Sequence, residues 1–245
     1  MSHRYFSETP ITTDSARLTG AEAHHLLHVM RAAVGTELVV FDGQGAEFRA
    51  EVARTGRGEV DIRVLQRIET DRELPVRISL GVALPKGDRQ RWLIEKAVEL
   101  GVARVVPLIT QHGVAQPTDS AITRLRRAVV EASKQCGRNR LAEICSAQPF
   151  PTFVSEAPSD TTRILAQPGG DSSWSTIARE PWPTARPVVL AVGPEGGFAD
   201  EEVSAAATAG WSIVDLGPRI LRVETAALAL VSLVACSTGT DLDQP

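Results

Sequence analysis

Two stretches of the sequence decide the fold, Val188-Val-Leu-Ala-Val-Gly-Pro-Glu-Gly-Gly197 and Ser212-Ile-Val-Asp-Leu-Gly-Pro-Arg-Ile-Leu-Arg-Val-Glu-Thr225. Each begins with a short apolar run typical of a buried strand and continues directly into a turn rich in glycine and proline. Glycines at a strand end let backbone N–H and C=O groups approach a ligand closely. Two tight turns without a ligand would give the same pattern, but its repetition at two strand ends favours a ligand pocket.

Around these stretches, apolar strands alternate with amphipathic helices. Strands alternating with helices predict an α/β domain with a parallel sheet, and ligands of such sheets gather at the carboxyl ends of strands. Neither turn matches the GxGxxG dinucleotide fingerprint or a phosphate-binding Walker A loop. The predicted strands cover residues 76–84, 103–109, 163–167, 188–192 and 212–216, and the predicted helices cover residues 89–100, 119–135, 200–209 and 225–236.

The sequence before residue 70 has a different character. Residues 37–42, 47–53 and 59–68 are short segments of strand type, separated by turns at Gly43 and Gly58. They predict an antiparallel meander that forms a small β-barrel, preceded by a helix over residues 20–31. The charged segment 69–75, which ends in proline, predicts a linker. We therefore expect two domains, residues 1–70 and residues 75–240.

The charge balance gives a mixed indication about nucleic acids. The 245 residues include 26 Lys and Arg against 30 Asp and Glu, a net charge of −4, which taken alone weighs against binding to phosphates. Basic residues nevertheless cluster locally, and such clusters predict either RNA contact or a solvated helix face. One cluster consists of Arg124, Arg126, Arg127, Lys134, Arg138 and Arg140, and a second of Lys86, Arg89 and Arg91.

The sequence favours neither a membrane segment nor a metal site. It has no run of about 18 apolar residues, and its first residues lack the features of a secretory signal, so we expect a cytoplasmic protein. The three cysteines are irregularly spaced, which argues against structural zinc and against a disulfide framework. His24 and His28 lie one helical turn apart, but no third ligand follows by spacing, so RNA contact or packing is favoured.

The last predicted helix is almost wholly apolar around its circumference from Ala226 to Ala235. Such a helix must be buried on every side, and this one is too short to cross a bilayer. An interface between two copies of the chain would explain the composition. The sequence therefore predicts a homodimer.

The two glycine-rich stretches resemble the signature of the RsmE family, bacterial enzymes that make N3-methyluridine in small-subunit (16S) ribosomal RNA. The matching segments are Gly193-Pro-Glu-Gly-Gly-Phe198 and Leu216-Gly-Pro-Arg-Ile-Leu-Arg-Val-Glu-Thr-Ala226. Similar family segments are Arg4-Tyr-Phe6, residues 25–31 with Asp42-Gly43, Lys96-Ala-Val-Glu-Leu-Gly-Val102 and Gln135-Cys-Gly-Arg138. The resemblance extends from Arg4 to about Ser237.

The resemblance implies a fold and a cofactor. It implies an N-terminal barrel similar to the PUA RNA-binding domain, followed by a SPOUT-type α/β methyltransferase domain with a C-terminal trefoil knot. Members are homodimers that bind S-adenosyl-L-methionine in the knotted loops. Carried over residue by residue, the cofactor would contact Val192, Gly193, Pro194, Glu195, Gly196, Gly197, Leu216, Gly217, Ile220 and Leu221.

The implied reaction requires groups that handle a proton and a developing negative charge. N3 of uridine is an imide N–H, so its proton leaves as the methyl group arrives, and charge spreads onto the two carbonyl oxygens. A guanidinium beside those oxygens stabilises the anion, which makes Arg4, Arg138 and Arg222 candidates, with Glu224 orienting or accepting a proton. Salt bridges or phosphate contacts remain alternatives for each of them. Methylation at C5 would instead need a nucleophilic cysteine, for which Cys136 is the candidate.

One segment departs from the family pattern. After the second strand of the α/β domain, members carry a Ser-Glu-Arg-Ser-like segment, whereas this chain has Thr110-Gln-His-Gly113 and lacks that arginine. The departure motivates an alternative function, an assembly factor that binds ribosomal RNA with reduced catalysis. The acidic net charge motivates a second alternative, a small-molecule methyltransferase.

Overall fold

A computed structural model of the chain describes residues 4–114, 118–170, 172–173 and 186–238. The chain folds into two compact units. One contains Met1–Glu73 together with Val130–Leu141, and the other contains Leu74–Val129 and Ala142–Pro245. The predicted domains, 1–70 and 75–240, did not include the return of residues 130–141 to the first unit.

The first unit is built on a mixed five-stranded sheet in the order β1-β3-β4-β5-β2. The β3-β4-β5 meander is antiparallel, as the sequence predicts, while β1 pairs with β3 in parallel, with Tyr5 opposite Val40. The long β4–β5 ribbon contains register shifts that bend it. The strands are β1 (Arg4–Phe6), β2 (Ser15–Thr19), β3 (Glu37–Phe41), β4 (Ala46–Thr55) and β5 (Glu59–Glu69).

Alternation along the strands produces the core of this unit. In β4, residues at every second position are buried, and in β5 Val60 and Ile62 face the same interior, where Leu18 and Leu26 also pack. The predicted helix over residues 20–31 is shorter and irregular. It consists of α1 (Gly20–His24) followed by a π-helical turn, His25–Val29, and ends before Arg31, whose φ is +52°.

The second unit is an α/β structure on an eight-stranded sheet in which every pairing of the described strands is parallel. This confirms the predicted class. The order is β11-β13-β10-β12-β6-β7-β8, with β9 also pairing with β7. The strands are β6 (Ile78–Val82), β7 (Arg104–Ile109), β8 (Glu143–Ile144), β9 (Gln148–Pro149), β10 (Thr162–Ala166), β11 (Ser172–Ser173), β12 (Val188–Val192) and β13 (Ser212–Asp215).

Strand β12 lies between β10 and β6, and all five of its residues are buried. An uninterrupted Val-Val-Leu-Ala-Val run suits this position, because a central parallel strand is covered on both faces. The helices are α2 (Arg89–Glu99), α3 (Asp119–Cys136), α4 (Phe150–Glu156), α5 (Asp200–Thr208) and α6 (Val223–Thr238). Helix α3 begins in the second unit and ends in the first.

The apolar helix α6 is not buried on every side within its own chain, so the predicted complete burial would require the second copy of the chain that the sequence also predicts. Ala227, Leu230 and Val231 are buried, whereas Ala229 and Leu233 are half-buried and Cys236 is exposed. Within the described ranges, no helix has the length and apolar character needed to cross a bilayer.

Candidate functional site

The carboxyl ends of β10, β12 and β13 lead into three loops, residues 167–170, 193–197 and 216–222, which together line a pocket of about 270 Å³. All ten residues that the family resemblance implies for cofactor contact belong to this lining. Since β10 lies between β12 and β13 in the sheet, the two glycine-rich stretches reach the same pocket from either side of it.

Sequence reasoning missed one wall of the pocket, the loop that follows β10. Ala166, Gln167 and Pro168 line it beside the predicted residues. The Gln167 Oε1 atom accepts a hydrogen bond from the Phe198 N–H at 3.2 Å, so this loop supports the end of the 193–197 loop. The signal was present in the sequence, because Gln167-Pro-Gly-Gly170 directly follows an apolar strand. The lining also contains Asp215, Arg219, Val223 and Ala226.

Two of the glycines that line the pocket have backbone angles that side chains disfavour. Gly197 has φ +72° and its N–H donates to the Pro194 carbonyl at 2.8 Å, which closes a tight turn. Gly217 has φ +114°, and its N–H donates to the Asp215 carboxylate at 2.8 Å. Among the described residues, no atom lies within 4 Å of where a Cβ on Gly217 would stand. The glycine therefore serves the backbone conformation and leaves the adjacent space open.

The segment that departs from the family pattern contacts the pocket loops. The Gln111 N–H donates to the Glu202 carboxylate at 3.0 Å, at the start of α5. The exposed His112 places Nδ1 3.3 Å from the Gly197 carbonyl oxygen. Thr110–Gly113 thus holds the outside of the 193–197 loop with a histidine, in the place where family members carry an arginine.

Of the candidate catalytic residues, Arg222 ends the 216–222 loop and Glu224 lies in the first turn of α6, and neither is part of the pocket lining. Arg222 is exposed, whereas the Glu224 side chain is 8% exposed and lies 3.4 Å from Arg89 Nη1. The Nη2 atom of Arg89 lies 3.5 Å from Glu195 in the 193–197 loop. Arg89, which the sequence analysis placed only in a basic cluster, therefore contacts Glu195 in the pocket lining and the buried Glu224 at the start of α6.

Arg4 and Arg138, the other two candidates, lie in the first unit and are held by many contacts. The Arg4 guanidinium is ion-paired with Glu47 at 2.5 Å, and its Nη2 donates to the Arg138 carbonyl at 2.9 Å and to Asn139. Burial lowers the pKa of Arg4, an effect that Glu47 opposes. Arg138 is ion-paired with Glu73 at 2.5 Å and is buried. These contacts match the salt-bridge alternative.

The basic clusters are partly neutralised in the folded chain. Lys134 is ion-paired with Glu22 at 2.8 Å and with Glu131 at 3.4 Å, and Arg91 is paired with Glu95. Together with Arg89 and Arg138, four of the nine predicted residues are therefore engaged with carboxylates. The side chains that remain exposed are Arg124, Arg126, Arg127, Arg140, Lys86 and, with its ion pair, Arg91.

The three cysteines and the pair His24 and His28 are not part of the pocket lining. Cys136 is half-buried in the last turn of α3. Burial raises the pKa of Cys145, a thiol that accepts a hydrogen bond from Arg104, which opposes that effect. The rings of His24 and His28 pack with centroids 4.8 Å apart. In the part of the chain that the structure describes, no three His, Cys, Asp or Glu side chains form a group suited to a metal ion.

Known proteins resemble this chain over nearly its whole length. A family model described as an RNA methyltransferase domain matches residues 72–235, and one described as an RNA methyltransferase PUA domain matches residues 18–65. A protein from Synechocystis named ribosomal RNA small subunit methyltransferase E is 33% identical over 210 residues, 85% of this chain and 69% of that protein. Its namesake from Mycobacterium bovis is 31% identical over 246 residues, 96% of this chain and 91% of that protein.

Solved structures agree with these relatives. A ribosomal RNA small subunit methyltransferase E from Neisseria gonorrhoeae, bound to S-adenosylmethionine, superposes with a TM-score of 0.87 at 27% identity, over 96% of this chain and 98% of that one. A Legionella pneumophila protein solved with bound S-adenosylmethionine has a TM-score of 0.87 at 30% identity, over 97% and 98% of the two chains.

Proposed function

The chain belongs to the family of ribosomal RNA small subunit methyltransferases E, and we propose that it transfers the methyl group of S-adenosyl-L-methionine to N3 of a specific uridine in 16S ribosomal RNA. The observation that carries the proposal is the pocket at the ends of β10, β12 and β13, whose lining includes all ten residues implied for the cofactor. Relatives that carry this name or hold this cofactor support the same assignment.

The wall of the pocket suits the proposed cofactor. The pocket volume of about 270 Å³ is slightly below the roughly 300–1,000 Å³ usual for small-molecule sites. The open space beside Gly217 leaves room for a ligand next to the backbone. When bound, S-adenosyl-L-methionine supplies a methyl group on a sulfonium. The pocket backbone would hold this donor in line with the uracil ring, so that catalysis rests mainly on positioning.

The base must lose its N3 proton as the methyl group arrives. We propose that Arg222 stabilises the charge on the uracil carbonyl oxygens, because it is exposed at the end of the pocket loop. Glu224, two residues further on, is the proposed orienting or proton-accepting carboxylate. The chemistry of the reaction also makes Arg4 and Arg138 candidates, and their ion pairs favour a structural contribution from both.

The proposal extends to partners and architecture. The first unit would bind ribosomal RNA or the small subunit, and the exposed arginines of α3 add positive charge for phosphate contacts. The half-buried face of α6, formed by Ala226, Ala229 and Leu233, supports a homodimer through this helix. Ala226 also lines the pocket, which would place the dimer interface beside the cofactor site. A trefoil knot through the pocket loops, a closed PUA-like barrel, the absence of a metal cofactor and a cytoplasmic location complete the proposal by family likeness.

Labelling of small subunits with tritiated S-adenosyl-L-methionine tests the function. Subunits from a strain that lacks the gene should accept label, and nuclease digestion followed by mass analysis should identify 3-methyluridine at one position. Subunits from the parent strain, which already carry the modification, are the control. Absence of label with retained subunit binding would favour the assembly factor. Subunit affinity that does not fall with salt would favour the small-molecule methyltransferase.

A further inference from the structure

Arg89 lies between a carboxylate of the 193–197 loop, Glu195, and a carboxylate in the first turn of α6, Glu224. Its Nη2 is 3.5 Å from Glu195 Oε1, within the 193–197 loop, and its Nη1 is 3.4 Å from Glu224 Oε1, directly after the 216–222 loop. The three charged groups come from three segments that are distant in sequence. The Arg89 side chain therefore connects the 193–197 loop with the residues directly after the 216–222 loop. These two loops form most of the pocket lining.

The electrostatics of helix α2 do not explain why an arginine stands at position 89. Arg89 is the first residue of α2, where the positive end of the helix dipole disfavours a cation, and the first turn of α2 contains no acidic residue. Glu224, in contrast, stands in the first turn of α6, where a carboxylate is favoured. Arg89 at the start of α2 is therefore stabilised by Glu195 and Glu224 and not by the dipole of its own helix.

The two ion pairs differ in burial, and this gives them different roles. The Glu224 side chain is 8% exposed, and among the described residues no hydrogen-bond partner is present for its buried Oε2 atom. A carboxylate with so few partners depends strongly on Arg89. Glu195 is 53% exposed, so its pair with Arg89 is screened and weaker. The stronger pair with Glu224 fixes the Arg89 side chain, and the weaker pair with Glu195 connects it to the 193–197 loop.

We infer that Arg89 is a positioning residue that holds the 193–197 loop in register with the 216–222 loop, and so keeps the pocket ready for the methyl donor. The inference rests on the proposed function for the identity of the ligand. The restraint on the loops does not depend on that identity. A first experiment can therefore use the chain without any ligand, and a second can use S-adenosyl-L-methionine.

Hydrogen exchange in the ligand-free protein tests the restraint. In Arg89→Gln, amides of the 193–197 loop should exchange about tenfold faster than in the wild type, and in Glu195→Gln about two- to fivefold faster. Arg91→Gln is the matched control, since Arg91 is paired with Glu95 on the same helix and should leave these amides unchanged. If Arg89→Gln does not fold, the half-exposed Glu195→Gln decides, because its loss leaves Glu224 paired. If the amides of the 193–197 loop exchange at the wild-type rate in both Arg89→Gln and Glu195→Gln, the inference is overturned.

Calorimetry and kinetics with S-adenosyl-L-methionine distinguish positioning from general structural damage. Arg89→Gln should raise Kd for the donor about tenfold, and kcat should fall as well, because Glu224 loses its partner. Arg89→Lys should recover part of the affinity. In ligand-free hydrogen exchange, Arg89→Gln combined with Glu195→Gln should open the 193–197 loop no further than Arg89→Gln alone, because both changes break the same ion pair. A wild type that binds no donor would overturn the proposed function and this inference together. A wild type that binds it, with unaltered affinity and exchange in Arg89→Gln, would overturn the inference alone.

Discussion

The Oε1 atom of Gln167 accepts a hydrogen bond from the backbone N–H of Phe198 at 3.2 Å and thereby joins the loops that follow β10 and β12. A Cβ on Gly197 would stand 3.4 Å from the same glutamine side chain. Gln167 thus lies against the turn of the 193–197 loop and also lines the pocket. Gln167 lies outside the segments that resemble the family, yet it supports one of them, residues 193–198.

Gln167→Ala should weaken binding of S-adenosyl-L-methionine by roughly 5- to 30-fold, which corresponds to about 1–2 kcal/mol. The reason is that the Phe198 N–H loses its partner and the 193–197 loop loses lateral support. Isothermal calorimetry measures the change. Gln66→Ala, on the exposed surface of β5, is the control and should bind as the wild type does. Equal affinity in Gln167→Ala would show that the loop keeps its shape without this contact.

Gly197→Val should abolish measurable cofactor binding in a chain that still folds. The φ of +72° at Gly197 is unfavourable for a branched side chain, so valine would strain the turn, at a cost of about 1–3 kcal/mol. Gly58→Val is a matched control, because Gly58 has φ +84° and lies in the β4–β5 turn with an open Cβ position. It should lower the melting temperature similarly and leave affinity intact. Loss of affinity in both variants would attribute the effect to stability alone.

The longer strands and the glycine-rich turns follow from local sequence, and for that reason the sequence predicts them well, whereas the short strands β1, β2, β8, β9 and β11 were not predicted. Val188–Val192 is uniformly apolar and is buried at every position, and the turn beside it lines the pocket. Strand order does not follow from local pattern, because it depends on long connections. The insertion of β10 between β12 and β13, which brings Gln167 to the pocket, was therefore not predicted.

Contacts between residues that are far apart in the sequence also could not be predicted from local pattern. Arg89 and Glu224 are 135 positions apart, and no periodicity relates them. Hydrophobic pattern also cannot tell which face of an apolar helix its own chain covers. Leu230 is fully buried within the protomer, so Leu230→Asp would test folding instead of dimerisation. Leu233, on the half-buried face of α6, is the better position for that test.

Arg4→Ala should destabilise the first unit by about 3 kcal/mol, the lower part of the range for breaking a buried ion pair, because Glu47 keeps Arg72 as a partner. Thermal unfolding measures this loss, and calorimetry should show unchanged cofactor affinity. The structural role predicts that turnover per folded molecule is nearly normal at low temperature. A large loss of turnover in fully folded Arg4→Ala would instead support the catalytic role that the family resemblance implies.

Acid should destabilise the protein in part through Glu47. Burial raises the pKa of this carboxyl, but hydrogen bonds from Arg72 and Arg4 lower it by more, so the pKa lies below its ordinary value of 4.5. A depressed pKa gives stability that is fully present above pH 4.5 and is lost as the pH falls through the folded value. Glu47→Gln should therefore lower the melting temperature more at pH 7 than at pH 3. An equal decrease at both values would exclude this contribution.

A fragment that begins at Pro75 should keep affinity for S-adenosyl-L-methionine and lose methylation of small subunits. The pocket lies wholly within the second unit, whereas the first unit is the one proposed to bind RNA and contains the exposed His25 and Arg31. Residues 130–141 would lose their partners, since Lys134 is paired with Glu22 and Arg138 with Glu73. Hydrogen exchange should accordingly be fast over 130–141 in the fragment and slow in the full chain. The same fragment carrying Gly197→Val is the control for cofactor binding and should show none. Methylation of subunits by the fragment at the full-length rate would mean that RNA positioning resides in the second unit, and that the first unit is dispensable for the reaction.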